Sequence, residues 1–172
     1  SYKNNIGKGF AVKKGILASK NYWILVCDAD MSASPKQFDI WFKNNLIQKK
    51  DEAYFGSRVH KQSNVKALFI RKIIGFLLNI LLSLLFNIKL SDTQCGFKVF
   101  HKNYSSRVFK KLLSYRFVFD VELTLILKKK NIPVKELPLK WTHRKDEKLN
   151  LMRDIPIMFF DILMIKLREV IK

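Results

Sequence analysis

Apolar and amphipathic segments alternate along this chain, and the alternation predicts strands separated by helices. The continuous apolar run 22–27 predicts a buried strand, and the shorter run 53–56 predicts a second one. Helical spacing of apolar residues predicts a helix over 9–19 and another over 34–48, the latter opened by a Ser-Pro pair. This alternation favours an α/β sheet whose ligands bind beyond the carboxyl ends of the strands.

The pattern continues in the second half of the chain. We predict a strand over 97–100, a helix from a cap at Asn103 to about residue 113, and a helix over 120–129. A further short strand is predicted over 134–139, between two prolines. The chain shows no internal repeat and no low-complexity segment. We therefore expect one sheet-based domain.

Two long amphipathic segments stand apart from this alternation. The first, about 66–88, is strongly apolar, but its apolar run falls short of the ~20 residues that span a bilayer. Small or polar residues recur in it every four positions, which predicts a helix lying in a membrane interface, with burial against the domain as the alternative. The second segment, 149–172, predicts an amphipathic helix that begins or kinks near Pro156.

The net charge of the chain limits the kinds of binding partner that it favours. The chain has 33 Lys and Arg against 14 Asp and Glu, a formal net charge of +19. Such an excess indicates a polyanion, an anionic membrane or phosphate-bearing substrates. Because lysines lie beside long apolar segments and no nucleic-acid-binding motif is present, we expect a membrane surface and no nucleic acid. Cys27 and Cys95 are too far apart for a zinc motif.

The first apolar run is followed directly by Asp28-Ala29-Asp30. Residues i and i+2 of a strand face the same side, so both carboxylates could hold one divalent cation. Oxygen ligands suit Mg²⁺ or Mn²⁺, which bind diphosphates. The motif therefore predicts a nucleotide-sugar site, and an ordinary solvated strand end is the alternative.

Four further motifs accompany this one in a fixed order. They are Asn5-Ile6-Gly7-Lys8-Gly9-Phe10-Ala11-Val12, Gly56-Ser57-Arg58, Asp92-Thr93-Gln94-Cys95-Gly96-Phe97-Lys98 and Phe119-Asp120-Val121-Glu122-Leu123. In this order and spacing the chain resembles family 2 glycosyltransferases that load a sugar onto a polyprenyl phosphate, in particular the dolichyl-phosphate β-glucosyltransferases. The run 92–98 is the most specific part of the resemblance.

The resemblance implies a fold and an activity. The fold is a glycosyltransferase A-type, Rossmann-like mixed sheet, incomplete at its N-terminus, with a partial catalytic domain at 1–148 and a C-terminal amphipathic helix at 149–172. The activity is inverting transfer of a hexose, glucose from UDP-glucose, to dolichyl or polyprenyl phosphate at a membrane surface. A GDP-mannose-dependent mannosyltransferase and a catalytically inactive membrane-binding fragment are the alternatives.

The resemblance also implies the site residues. The residues expected to carry catalysis are Asp92, Gln94, Lys98, Asp120 and Glu122. The expected ligands of Mg²⁺ or Mn²⁺ are Asp28 and Asp30, of which Asp30 is the firmer. The residues expected to bind substrate are Lys8, Gly9, Arg58, Arg71 and Asp28. For Arg71 the alternative is a side chain that snorkels to lipid headgroups.

The acceptor and the location follow from the same resemblance. A phosphate monoester has its second pKa near ~6, so a polyprenyl phosphate attacks as an oxyanion and needs no strong general base. We expect a membrane-associated protein with its site on the cytoplasmic side, at the endoplasmic reticulum if eukaryotic and at the plasma membrane if prokaryotic. After Trp141-Thr142 the chain departs from the glucosyltransferase pattern. This departure weakens the prediction of glucose as the sugar more than the prediction of the reaction.

Overall fold

The computed structural model describes residues 5–66, 69–142 and 151–171, apart from the side chains of 69–72 and 151–152. Helices and strands alternate in these ranges as the sequence pattern predicts. In chain order the elements are α1 (Lys8–Ala18), β1 (Trp23–Val26), α2 (Lys36–Lys43), β2 (Ala53–Ser57), β3 (Asn64–Lys66), α3 (Phe69–Phe86), β4 (Lys98–His101), α4 (Lys102–Lys110), α5 (Phe119–Lys129), β5 (Val134–Pro138), β6 (Lys140–Thr142) and α6 (Leu151–Val170).

The main sheet has four strands in the order β1-β4-β2-β5. The strand β4 is antiparallel to both of its neighbours, and β2 is parallel to β5. The carboxyl ends of β1, β2 and β5 therefore lie at the same edge as the amino end of β4. We call this the carboxyl edge, and Val26, Ser57, Lys98 and Pro138 mark it. The predicted α/β class with a mixed sheet is confirmed.

Side chains of β4, one of the two inner strands of the sheet, alternate between two cores. Phe100 of β4 packs with Phe109 of α4, Phe119 and Leu123 of α5 on one face of the sheet. Val99 packs on the other face. That second core also contains Trp41, Tyr54, Phe97 and Leu137. Successive side chains of β4 point to opposite faces of the sheet, and a core covers each face, so all four residues of this strand are buried.

Two helices, α2 and α4, have bounds that differ from those predicted. The helix α2 stops at Lys43 rather than at 48, because Asn45 takes a left-handed φ of 54° and Leu46 N–H donates to Trp41 O. The helix α4 begins at Lys102, and its cap is not Asn103. The cap is His101, whose Nδ1 accepts from the Asn103 N–H at 3.3 Å.

The strands β3 and β6 were not predicted. They pair in parallel as a separate two-stranded sheet, with Val65 opposite Trp141. Each has only three residues, which is too short for a period of two to be recognised in sequence. Thr142 N–H donates to Ser32 O, which ties this small sheet to the loop after β1.

The two long helices α3 and α6 pack through one side of each. Leu82 and Phe86 of α3 form a buried cluster with Ile162 and Ile165 of α6, and α5 contributes Val121. The helix α6 begins five residues before its proline and continues through it. Among the described residues, none of the helices combines the length and the apolar character needed to cross a membrane.

The carbonyl groups at the end of α3 are satisfied by two lysines. Lys166 of α6 donates to Leu85 O at 2.5 Å. Lys128 of α5 donates to Asn87 O at 2.9 Å and to Phe86 O at 3.2 Å. Cationic donors at a helix C-terminus satisfy its free carbonyls and complement its dipole. These bonds fix α3 to the domain on its inner side.

Candidate active site

Three loop segments and the ends of two helices meet at the carboxyl edge. The turn after β1 carries Asp28, the end of β2 leads to Arg58, and the segment 92–98 runs into β4. A Cβ added to Gly96 would overlap the Asp28 carboxylate, so the segment before β4 lies directly on the turn after β1. Helices α1 and α5 bring Lys8 and other charges to the same place. The sheet topology therefore assembles most of the predicted site.

The two aspartates of the first motif lie in a turn. The strand β1 ends at Val26, and Met31 N–H donates to Asp28 O at 3.1 Å to close the turn. Met31 has a left-handed φ of 54°. The strand period on which that prediction was based therefore does not apply to Asp28 and Asp30, because neither residue is in the strand. Asp30 Oδ1 instead accepts from the Ser32 N–H at 2.9 Å.

Lys8 holds Asp28 by an ion pair. Its Nζ lies 2.6 Å from Asp28 Oδ1, and both side chains are about one-third exposed. Burial lowers the pKa of Lys8, but the carboxylates of Asp120 and Asp28 outweigh burial and leave this pKa above its usual value. Lys8 is therefore a cation at neutral pH, placed beside a partly open carboxylate.

The oxygen donors of this turn fit a divalent cation that a diphosphate helps to hold. Asp28 and Asp30 supply carboxylates, and the buried Ser32 Oγ has no hydrogen-bond partner among the described residues. In the same described part, no group of three or more His, Cys, Asp or Glu could hold a metal. Mg²⁺ is commonly bound by one or two carboxylates, waters and substrate phosphates rather than by a full protein cage.

Arg58 and Asp92 form a bidentate pair. Arg58 Nε donates to Asp92 Oδ2 at 2.8 Å, and its Nη2 donates to Oδ1 at 2.9 Å. The Arg58 N–H also donates to Oδ2. The guanidinium lies 5.8 Å from the Trp141 ring centroid. Burial raises the pKa of Asp92, but hydrogen bonds and charge from Arg58 outweigh it and keep this pKa below its usual range.

Lys98 and Asp120 form a second pair that is buried. Lys98 Nζ lies 2.6 Å from Asp120 Oδ1, and their side chains are 1% and 2% exposed. The ammonium also donates to Cys95 O at 2.5 Å and lies 4.8 Å from the Phe55 ring centroid. We expected Lys98 to face the acceptor. The structure instead places it beneath the segment 92–98, where it fixes the main chain.

The remaining predicted residues differ in their positions. Gly9 packs tightly, because an added Cβ would lie 2.6 Å from both Phe119 Cβ and Ser114 O, so it allows α1 to approach the start of α5 closely. Gln94 is partly exposed, and its Nε2 is buried without a hydrogen-bond partner in the described ranges. The Arg71 side chain lies outside the described part.

Glu122 does not join the cluster. Its Oε2 accepts from the Leu113 and Ser114 N–H groups at 3.0 and 2.5 Å. Arg168 of α6 approaches its other carboxylate oxygen to 3.7 Å. Although it is two residues from Asp120, Glu122 therefore supports the loop before α5.

One residue of the site was not predicted from the sequence. Glu136 of β5 accepts hydrogen bonds from Ser91 and from the Asp92 N–H. Its partners lie 44 and 45 residues earlier in the chain. No local pattern signals a contact of this kind.

Curated proteins are similar to this chain over most of its length. No protein-family model matches the chain. A protein of Dictyostelium discoideum named dolichyl-phosphate beta-glucosyltransferase is 37% identical over 96% of this chain and 52% of its own length. The human protein of that name is 34% identical over 95% of this chain and 52% of its length. The Saccharomyces cerevisiae protein is 29% identical over 96% and 53%.

The chain spans about half the length of these curated relatives. The similarity extends over nearly all of the chain. It confirms the resemblance inferred from the sequence: the chain is homologous to proteins named dolichyl-phosphate beta-glucosyltransferase, consistent with the family 2 glycosyltransferases.

Proposed function

We propose that this chain acts in the inverting transfer of glucose from UDP-glucose to dolichyl or polyprenyl phosphate, with Mg²⁺ or Mn²⁺, at a membrane surface. The observation that carries the proposal is the meeting of Asp28, Arg58 and the segment 92–98 at one sheet edge. The names of the relatives support dolichyl phosphate as the acceptor and glucose as the sugar. Transfer to a lipid phosphate needs cationic groups near the diphosphate of the donor and near the phosphate of the acceptor, and this edge carries cationic side chains.

Lys8 and Arg58 are the proposed phosphate contacts. Lys8 is partly exposed, and its ion pair within the described part of the chain is with one carboxylate, so it can exchange that partner for a phosphate oxygen. Arg58 is held in place by Asp92, and its Nη1 is not used in that pair. Both side chains would neutralise and orient phosphate, and orientation accounts for much of the rate when the nucleophile is already ionised.

Asp92 and the metal site have different proposed tasks. Because Arg58 keeps Asp92 ionised, this carboxylate accepts hydrogen bonds from sugar hydroxyls and does not act as a proton donor. Asp28 and Asp30, with Ser32 Oγ, would hold Mg²⁺ or Mn²⁺. When bound, the cation supplies charge neutralisation for the departing nucleotide diphosphate.

We expect Asp30→Asn to abolish metal-dependent transfer. The substitution keeps the shape of the side chain and removes the charge of a carboxylate that is paired with no cation among the described contacts. The measurement is transfer of labelled glucose at increasing Mn²⁺ concentration. Asp39→Asn, an exposed acid on α2, is the matched control and should retain activity. Retained activity in Asp30→Asn would exclude the metal assignment.

The proposed membrane surface is the outer side of α3 and α6. Large apolar side chains are exposed there, namely Ile73, Phe76, Leu77, Ile80 and Leu84 on α3, and Ile155, Phe159, Phe160, Leu163, Met164, Leu167 and Val170 on α6. Such a surface, on a chain of charge +19, suits the interface of an anionic bilayer. A cytoplasmic-side location, at the endoplasmic reticulum or the plasma membrane, is part of the proposal.

We expect the double variant Phe76→Gln, Leu84→Gln to bind anionic vesicles at least about tenfold more weakly, because each side chain loses apolar burial in the bilayer. The measurement is vesicle co-sedimentation at physiological salt. The matched control is Ile40→Gln, Phe42→Gln, which changes two exposed apolar residues of α2. Equal losses in both variants, or equal binding of the unchanged chain to DNA, would show that charge alone drives binding.

A further inference from the structure

Glu136 accepts three hydrogen bonds at the start of the segment 91–98. Its Oε2 accepts from the Ser91 N–H at 2.9 Å and from the Ser91 hydroxyl at 2.6 Å. Its Oε1 accepts from the Asp92 N–H at 2.9 Å. Hydrogen bonds to a charged acceptor are roughly twice as strong as neutral ones. A single carboxylate therefore fixes the main chain of two successive residues.

The residue fixed in this way is the partner of Arg58. The Asp92 main chain is bonded to Glu136, while its carboxylate is bonded to Arg58 by three donors. Glu136 lies in β5 opposite Phe55 of β2, the adjacent parallel strand, and Arg58 directly follows the end of β2. The two strands therefore hold Asp92 from two sides.

The other end of the segment has a separate attachment. Lys98 donates to Cys95 O, and it is itself paired with Asp120. Glu136 and Lys98 thus fix opposite ends of one loop that contacts Asp28 through Gly96. The loop cannot shift at its beginning unless the Glu136 bonds break.

We propose that Glu136 is a positioning residue that holds Asp92, and through it Arg58, in the geometry needed for transfer. This role rests on the proposed function. Glu136 acts through the main chain of 91–92 and does not contact the substrate. Positioning residues of this type matter because small displacements of a binding group reduce the rate strongly.

Kinetics of Glu136→Gln test the proposal. The amide has the same shape but turns an NH₂ group toward one of the donors, so at least one of the three bonds is lost. We expect kcat to fall by on the order of ten- to a hundredfold, with a smaller change in the KM for the donor. Ser91→Ala removes one bond and should give a smaller loss. Glu169→Gln, on α6, is the matched control and should be unchanged.

A second readout is independent of activity. We expect NMR titration of the Asp92 carboxyl to show a pKa below the usual value in the unchanged chain. Loss of the Glu136 charge by itself would lower the Asp92 pKa further, whereas displacement of Asp92 from Arg58 raises it, so a pKa closer to the usual value in Glu136→Gln reports the displacement. Ser91→Ala reports the same shift at smaller size if Glu136→Gln does not fold. An unchanged Asp92 titration in both variants would overturn the proposal. Absence of transfer by the unchanged chain, together with a shifted Asp92 titration in Glu136→Gln, would instead overturn the proposed function.

Discussion

Replacing Lys98 with Met is expected to destabilise the fold by about 3–5 kcal/mol, the range for removing one member of a buried ion pair. The substitution leaves the Asp120 carboxylate, 2% exposed, without its nearest cation. It also removes the donor to Cys95 O. Desolvation of an uncompensated charge dominates this loss, because Met replaces most of the packing volume of the lysine stem.

Urea unfolding measures this effect. The double variant Lys98→Met, Asp120→Leu should recover most of the stability, since removal of both charges leaves neither uncompensated. Lys36→Met, an exposed lysine at the start of α2, is the matched control and should change stability little. A loss in Lys98→Met no larger than in Lys36→Met would contradict the buried pair.

Replacing Gly96 with Ala is expected to reduce transfer at least about a hundredfold. The added Cβ would overlap the Asp28 carboxylate, so either the turn after β1 or the segment before β4 must move. Both belong to the proposed site. The same substitution at Gly15 in α1 meets no atom within 4 Å. In that helix it should stabilise the fold by up to about 1 kcal/mol and leave transfer intact.

Parallel activity and thermal-unfolding measurements on these two alanine variants separate a local distortion of the site from a general loss of stability. We expect Gly96→Ala to lose activity by more than its change in melting temperature explains. Equal activity of the two variants would show that the approach of the loop to Asp28 has no role in the site.

Sequence patterns predicted the sheet and the meeting of the motifs, because both follow from strands that end at one edge. The strands around Leu25, Phe55 and Val99 are apolar and continuous, so their existence was clear. Once β4 runs antiparallel between β1 and β2, the segment 92–98 must adjoin the ends of both. The convergence of the Asp-Ala-Asp motif with Arg58 is therefore a consequence of topology.

Roles of individual side chains were harder to predict, because they depend on tertiary contacts. The Asp-Ala-Asp motif lies one residue beyond Cys27, which itself follows β1, so the strand period no longer applies to it. Lys98 was assigned to the acceptor side, but an adjacent acid on α5 draws it into the core. Glu136 was missed, since its partners lie on a distant loop.

The central claim is tested most directly by transfer of labelled glucose from UDP-glucose into organic-extractable dolichyl phosphate. GDP-mannose and the Asp30→Asn variant are run in parallel. We expect lipid-linked glucose that requires Mg²⁺ or Mn²⁺ and disappears in the variant. Label from GDP-mannose instead of UDP-glucose would contradict the sugar. Vesicle binding without label from either donor would contradict transfer by this chain and favour a catalytically inactive membrane-binding fragment.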